Sequence, residues 1–335
     1  MSRRRLSPER YRAICVVALA LLAVIVVSGG LVRLTGSGLG CDDWPNCNDT
    51  KIIDVSSTHS AIEQINRLFT GLVALGVVLA VAGSVIREPR RRDLTWLSWG
   101  LVAGVIGQVV LGGITVLVDL HPAAVQSHFL LSMVLIANAT VLVYRAGLPD
   151  RRRVPRVSTT IRRHVWAIGA MTSVAITLGT VVTGSGPHAG DEEARRFGFD
   201  IGQTARVHSA SVWITVGLAA WLMWRLRDRP ADREVLETPI YAWIGVAVLQ
   251  GGVGYLQYFS GIPVALVAIH LALATALYVV TVWMIETMKT SHPGAGAGAG
   301  EGSEQRAQEL GGLVDDGREE AADVVDEVVE HVRGR

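Results

Sequence analysis

Eight apolar runs, near residues 13–34, 62–86, 95–117, 123–144, 164–184, 205–225, 239–258 and 262–285, decide what this chain can become. Each is long enough to cross about 30 Å of hydrocarbon as a helix. A backbone in lipid must satisfy its own hydrogen bonds, so runs of this length read as helices and not as open strands. The expectation is an all-α polytopic membrane protein with eight transmembrane helices. With 50 % hydrophobic and 18 % charged residues, the 335-residue chain fits that class, its formal charge of +1 says little about partners, and no nucleic-acid partner is expected.

Arginine and lysine resist translocation in short loops, so their distribution sets orientation. Segments 1–12, 87–92, 145–163 and 225–235 hold 5, 4, 7 and 4 of them, whereas the alternate loops hold few. Both termini are therefore expected in the cytoplasm. The first run lacks a small-residue cleavage site and leads into further membrane segments, so it reads as a retained helix and not as a signal peptide. Residues 294–335 open with Gly-Ala repeats and carry 11 acidic against 4 basic residues, the composition of a flexible cytoplasmic tail.

Asn66 and His128 in the first four runs recur as His208 and His270 in the last four, each at an offset of 142 residues. Thr35-Gly36-Ser37-Gly38 resembles Thr183-Gly184-Ser185-Gly186, and Gly112-Gly113 resembles Gly251-Gly252 at a slightly shorter offset. Equal offsets favour a duplicated unit. With four spans per copy both copies begin on the same side, so the halves are expected to be parallel four-helix bundles related by a pseudo-twofold axis along the membrane normal. The resulting division is a cytoplasmic N-terminus at 1–12, a first half at 13–144, a cytoplasmic linker at 145–163, a second half at 164–285 and an acidic tail at 286–335.

Asn66, His128, His208 and His270 each fall a few residues after the outer start of an even-numbered run, so they share one depth below the outer surface. A single histidine there reads as a polar contact between helices, but a repeat-related pair on separate helices suggests a site. Two opposed imidazoles can ligate a haem iron from both faces, as an electron-transfer centre requires. Zinc or copper would want further donors, and the second half supplies no nearby cysteine or carboxylate. His208 and His270 are therefore the expected haem ligands. Glycines in the third and seventh runs (Gly104, Gly107, Gly112, Gly113; Gly245, Gly251, Gly252, Gly254) would let helices or a planar ligand come close. His121 and His188 read as loop-side residues and His164 lies at the wrong depth. His59 precedes Glu63 by one turn and could swing toward the first-half site.

The copies differ at Glu63, whose second-half counterpart is Ala205. Glu63, Asn66 and Arg67 can share a helix face. Glu63 either pairs with Arg67 at i,i+4 and neutralises charge, or handles protons beside a low-dielectric pocket. Cys41 and Cys47 bracket Trp44-Pro45 in an outer loop, where a disulfide can persist and six-residue spacing permits closure. Cys15, inside the first run, reads as a small packing residue.

These residues together resemble the haem A synthase family, bacterial and mitochondrial. The resemblance covers roughly residues 13–285 and is carried by Gly29-Gly30-Leu31-Val32-Arg33-Leu34-Thr35-Gly36-Ser37-Gly38-Leu39, Cys41 to Cys47, Glu63-Gln64-Ile65-Asn66-Arg67, Gln108-Val109-Val110-Leu111-Gly112-Gly113, His128, Thr183 to His188, His208, Leu249-Gln250-Gly251-Gly252 and His270. It implies an oxidoreductase of the bacterial cell membrane that converts the C8 methyl of haem O to a formyl group by successive hydroxylations. It also implies a b-type haem on His208 and His270 in the second half and haem O in the first, with His128 as an iron ligand, Glu63 as the required acid, and Asn66, Arg67 and His59 beside the substrate. A membrane electron acceptor would be needed. Haem O synthase, terminal oxidase assembly factors and a second copy of the chain are further partners compatible with the family. Where the family commonly has histidine in a Glu-X-X-His-Arg pattern, this chain has Asn66, so that either His128 is the sole protein ligand or His59 supplies another. The competing readings are a b-type membrane electron carrier, which would not need Glu63, and a transporter, which would not need haem.

Overall fold

The computed structural model describes residues 5–149 and 153–291. Eight helices form: α1 Pro8–Leu34, α2 Thr58–Ile86, α3 Arg92–Leu117, α4 Pro122–Ala146, α5 Thr159–Ser185, α6 Ile201–Leu226, α7 Pro230–Phe259 and α8 Val264–Thr287. All eight are long and apolar enough to cross a membrane, and the chain is a multi-pass membrane protein. The expected acidic tail lies outside the described residues beyond Ser291, as do residues 1–4 and part of the 145–163 linker.

Most helices begin several residues before the apolar run they contain, because polar capping residues and prolines precede it. Ser7 accepts the Arg10 N–H ahead of Pro8, Asp200 accepts the Gln203 N–H at 2.7 Å, and Ser57 and Ser60 form a reciprocal capping box. Each such cap contributes about 1 kcal/mol. The largest difference is at α7. The apolar run suggests a start at Pro239, but the helix starts at Pro230 and takes Pro239 into its interior.

Each odd-numbered helix packs chiefly against its successor. Helices α1 to α4 close into a cycle of neighbours, α5 to α8 into another, and α4 and α1 meet α8 between them. One apolar core joins Tyr11, Val77, Leu101 and Ile136 from α1 to α4; another joins Ile161, Leu222, Ile240, Trp243 and Met284 from α5 to α8. The outward faces are apolar too, with Leu75, Val134, Ile214 and Val248 exposed, as lipid contact requires. All eight helices belong to one compact unit.

The ends of the bundle differ. At the end carrying residues 35–57 the loops tie the two halves together: the Gly38 N–H donates to the Gly190 carbonyl at 2.9 Å, and Arg33 Nη2 donates to the Thr183 carbonyl at 3.1 Å. Gly190 has φ +109°, and a Cβ there would lie 2.9 Å from Leu120, so both backbone conformation and space select glycine. At the opposite, arginine-rich end Arg145 of α4 pairs with Glu286 of α8 at 3.1 Å, and Asp232 accepts both the N–H and the hydroxyl of Ser158 at 2.8 Å.

Candidate functional site

Asn66, His128, His208 and His270 all line one cavity of about 990 Å³ to which all eight helices contribute. That is the upper end of the range for small-molecule and cofactor pockets. Its wall is mostly apolar. Among the residues lining it, Glu63 is the one carboxylate, Arg33, Arg67 and Arg206 are the cations, and the histidines are His128, His208 and His270.

Each of the four layer residues sits on an even-numbered helix against a glycine of the preceding odd one. A Cβ at Gly29 would lie 3.9 Å from Asn66 Nδ2, one at Gly112 3.3 Å from His128 Cε1, one at Gly179 3.2 Å from His208 Cε1, and one at Gly254 3.0 Å from His270 Cε1. The missing side chains leave room for the ring to stand edge-on to the neighbouring helix. This geometry corrects one pairing drawn from the sequence. Gly112 corresponds to Gly254, at the same 142-residue offset as the histidines, and not to Gly251-Gly252. Histidine contact sets the register, and Gly245, Gly251 and Gly252 have no atom within 4 Å of an added Cβ.

In the second half the His208 and His270 rings face each other with centroids 6.5 Å apart and planes at 78°. Two imidazole–metal bonds of about 2.0–2.1 Å, with roughly 1 Å from each nitrogen to its ring centre, require about 6 Å, so one metal fits between them. The Nδ1 of His208 meets the Ala175 carbonyl at 2.9 Å. That contact makes Nδ1 the protonated nitrogen and leaves Nε2 as the donor atom, the usual arrangement of a ligating histidine. His270 Nε2 takes the Gln250 amide at 3.1 Å, while its buried Nδ1 and Gln250 Oε1 have no partner. Among the described residues no three His, Cys, Asp or Glu side chains converge as a metal cage. Two axial ligands around a planar macrocycle fit this pair better than a zinc-type site, provided the Gln250 amide gives up His270 Nε2 to the metal.

The first half is built differently. Asn66 Oδ1 accepts the Ser28 hydroxyl at 2.7 Å. His128 lines the cavity with its buried Nδ1 unpartnered, and its carbonyl accepts from Gln108 Nε2 at 3.1 Å. Glu63, 6 % exposed, is fully engaged: Oε1 receives Arg67 Nε at 3.0 Å and Nη2 at 2.7 Å, and Oε2 receives the Cys41 N–H at 2.8 Å. Arg67 also donates to the Asn46 carbonyl at 3.0 Å and lies 5.3 Å from the centre of the Trp44 ring. The Trp44 ring in turn covers Gly113, where a Cβ would come within 2.5 Å. Cys41 and Cys47 are joined, closing this loop over the cavity, and Cys15 is a buried free thiol. Both sequence readings of Glu63 thus have a structural basis: it pairs with Arg67, and it lines the cavity.

His59 is not among the cavity residues. It is exposed and its Nδ1 meets Ser37 Oγ at 2.9 Å, while its backbone packs on Gly40. His188 meets the Ile262 carbonyl and His164 the Leu218 carbonyl, both at 2.9 Å, outside the layer. Sequence reasoning passed over Ser28, Gly29, Gly179 and Gln250 as site residues. For the glycines the signal existed, since Gly29 and Gly179 stand at similar places in the first and fifth runs, which open the two halves.

A family model for the cytochrome oxidase assembly proteins, COX15-CtaA, matches residues 12–64 and 51–190, which together make up more than half of the chain. Curated relatives named heme A synthase include that of Bacillus cereus strain G9842, 21 % identical over 280 residues covering 79 % of this chain and 88 % of its own. That of Bacillus mycoides strain KBAB4 is 22 % identical over 279 residues, with the same coverage. The protein of Exiguobacterium sp. strain ATCC BAA-1283 / AT1b is 26 % identical over 162 residues, 48 % of this chain and 54 % of its own. With the matched segments spanning Glu63, Asn66 and His128, this chain is a member of the COX15-CtaA family of cytochrome oxidase assembly proteins.

Proposed function

We propose that this protein is a haem A synthase. It receives haem O in the first half and oxidises its C8 methyl to a formyl group, with a b-type haem held by His208 and His270 in the second. The observation that carries the reading is the asymmetry of one layer in one cavity. Two imidazoles face each other at 6.5 Å in the second half, whereas the first half presents one histidine, an amide and the cavity's one carboxylate.

The net reaction takes up one oxygen, counted from water, and releases four protons and four electrons per methyl converted to formyl, in two hydroxylations followed by loss of water. When bound at His208 and His270, haem supplies one-electron transfer toward a membrane electron acceptor. His128 orients the substrate from one face. Glu63 lies on the same helix as Asn66, one turn nearer the disulfide loop, and can take a proton released at the reacting methyl. Its bonds to Arg67 and the Cys41 N–H hold the carboxylate in place at the cavity wall. Arg33 and Arg206 suit the propionate carboxylates of a haem. The disulfide loop with Trp44 limits water entry from that end. The two halves are read as parallel and related by a pseudo-twofold axis, as the repeated glycine and histidine contacts suggest, with the layer toward the outer face.

The second reading, a b-type membrane electron carrier, is favoured by one fact: every Glu63 oxygen is already bonded. Mass analysis of haem extracted from purified protein, expressed with and without a haem O supply, separates the two. Haem b together with a formyl-bearing haem that depends on that supply supports the synthase; haem b alone, with added haem O recovered unchanged, rejects it.

A further inference from the structure

We infer that the first-half haem is five-coordinate, bound through His128 alone, and that Asn66 offers its amide Nδ2 as a hydrogen-bond donor to whatever occupies the open axial position. The inference rests on the proposal that haem O binds in this half. It starts from a comparison of the same four positions in the two halves.

In the second half His208 Nδ1 uses the Ala175 carbonyl, four residues before Gly179, as its acceptor. The carbonyl four residues before Gly29 is that of Ile25, and here it faces Ser28 Oγ at 3.3 Å instead of an imidazole. The residue just before the glycine is Ser28 in the first half and Leu178 in the second. Two changes therefore go together: the ring is replaced by an amide, and a hydroxyl appears where that ring's acceptor would be. The Ser28 hydroxyl has one proton, and the 2.7 Å contact to Asn66 Oδ1 outcompetes the 3.3 Å one to Ile25. Ser28 takes one lone pair of Asn66 Oδ1, and a neutral amide oxygen is a poor ligand for haem iron beside an imidazole. Nδ2 makes no hydrogen bond among the described residues, and Asn66 lines the cavity. An amide N–H₂ donates and does not ligate iron.

Among the described residues no other side chain fills the position. His59 is held by Ser37 outside the cavity wall, and the remaining cavity histidines, His208 and His270, face each other. The two halves then differ in coordination number as well as in the presence of Glu63. The second is closed to exogenous ligands. The first has a vacancy with a donor beside it and a carboxylate one turn away.

The test uses full-length protein purified after expression with a haem O supply, read by electron paramagnetic resonance and optical spectra of the ferric state. One low-spin and one high-spin haem are expected per chain. Added imidazole should convert the high-spin haem to low-spin. Asn66→His combined with Ser28→Ala, which frees the Ile25 carbonyl, should remove both the high-spin signal and the imidazole response. Asn66→Leu should keep the high-spin signal and weaken fluoride binding about tenfold, the loss of one hydrogen bond of roughly 1.4 kcal/mol. The low-spin haem at His208 and His270 reports in every variant that the bundle has folded. Two low-spin haems in the wild type, with haem O or its oxidation products recovered on extraction, overturn the inference and leave the synthase reading intact. A high-spin signal that persists in the double variant, or unchanged fluoride affinity in Asn66→Leu, also overturns it. Absence of any second haem overturns both.

Discussion

At Glu63 the structure joins the ion pair with Arg67 to a place on the cavity wall, and substitution can separate what each contributes. Glutamine keeps the size but presents an N–H₂ where a carboxylate oxygen now accepts, so one of two donors, Arg67 or the Cys41 N–H, meets another donor. The cost is that of an unsatisfied buried group, about 1–3 kcal/mol. If the proposed function holds, Glu63→Gln is expected to lower haem O conversion by at least about 10²-fold, the scale of general acid–base catalysis, while the low-spin haem proposed for the second half stays. Arg67→Lys retains the carboxylate but loses the two-pronged grip on it. Single-turnover conversion of haem O in the two variants decides the role: loss confined to Glu63→Gln supports proton handling, and equal loss in both assigns Glu63 to anchoring the disulfide loop.

At the scale of the helix, the unit is an odd helix with a glycine and an even helix with the residue that glycine admits. The sequence made much of this readable. Eight apolar runs gave eight helices, and the equal offsets of Asn66, His128, His208 and His270 correspond to four residues around one cavity. The helix ends were less legible, because caps such as Ser7 and Asp200 lie outside the apolar runs and Pro239 falls inside a helix. The Ser28–Asn66 bond could not be read at all, since it joins residues 38 positions apart whose facing depends on how α1 and α2 rotate. The glycine contacts lead to a sharp expectation for Gly254→Ala. The new methyl would lie 3.0 Å from His270 Cε1, so the ring must shift by a few tenths of an ångström to admit it. Overpacking of this kind costs about 1–3 kcal/mol. Gly251→Ala is its control, because nothing lies within 4 Å of the added atom. Gly254→Ala should shift or abolish the low-spin haem spectrum of the purified protein and Gly251→Ala should leave the spectrum's axial-ligand features as they are; identical spectra from both would show that the glycine does not position the ligand.

Across the whole molecule, charge and aromatic residues divide the two ends. The end carrying residues 87–92, 145–163 and 225–235 is rich in arginine, and exposed Trp96, Trp99, Trp166, Trp221 and Trp224 lie on the turns of α3, α5 and α6 nearest to it. Tyr255, Tyr258 and Phe259 do the same at the disulfide end of α7. Indole and phenol rings favour the two membrane–water interfaces, so these belts mark where the hydrocarbon stops. The arginine bias then predicts which side is which: the basic end faces the cytoplasm, and the disulfide loop and the histidine layer lie toward the outside, where a disulfide persists. Thiol labelling can check this without removing native cysteines, since Cys41 and Cys47 are bonded to each other and Cys15 is buried. Ile52, 72 % exposed in the disulfide loop, and Arg90, exposed at the basic end, are suitable positions. In intact cells a membrane-impermeant maleimide should label Ile52→Cys, and Arg90→Cys should react only after the membrane is opened. Labelling of Arg90→Cys in intact cells with Ile52→Cys protected would invert the topology and put the disulfide loop on the reducing side of the membrane.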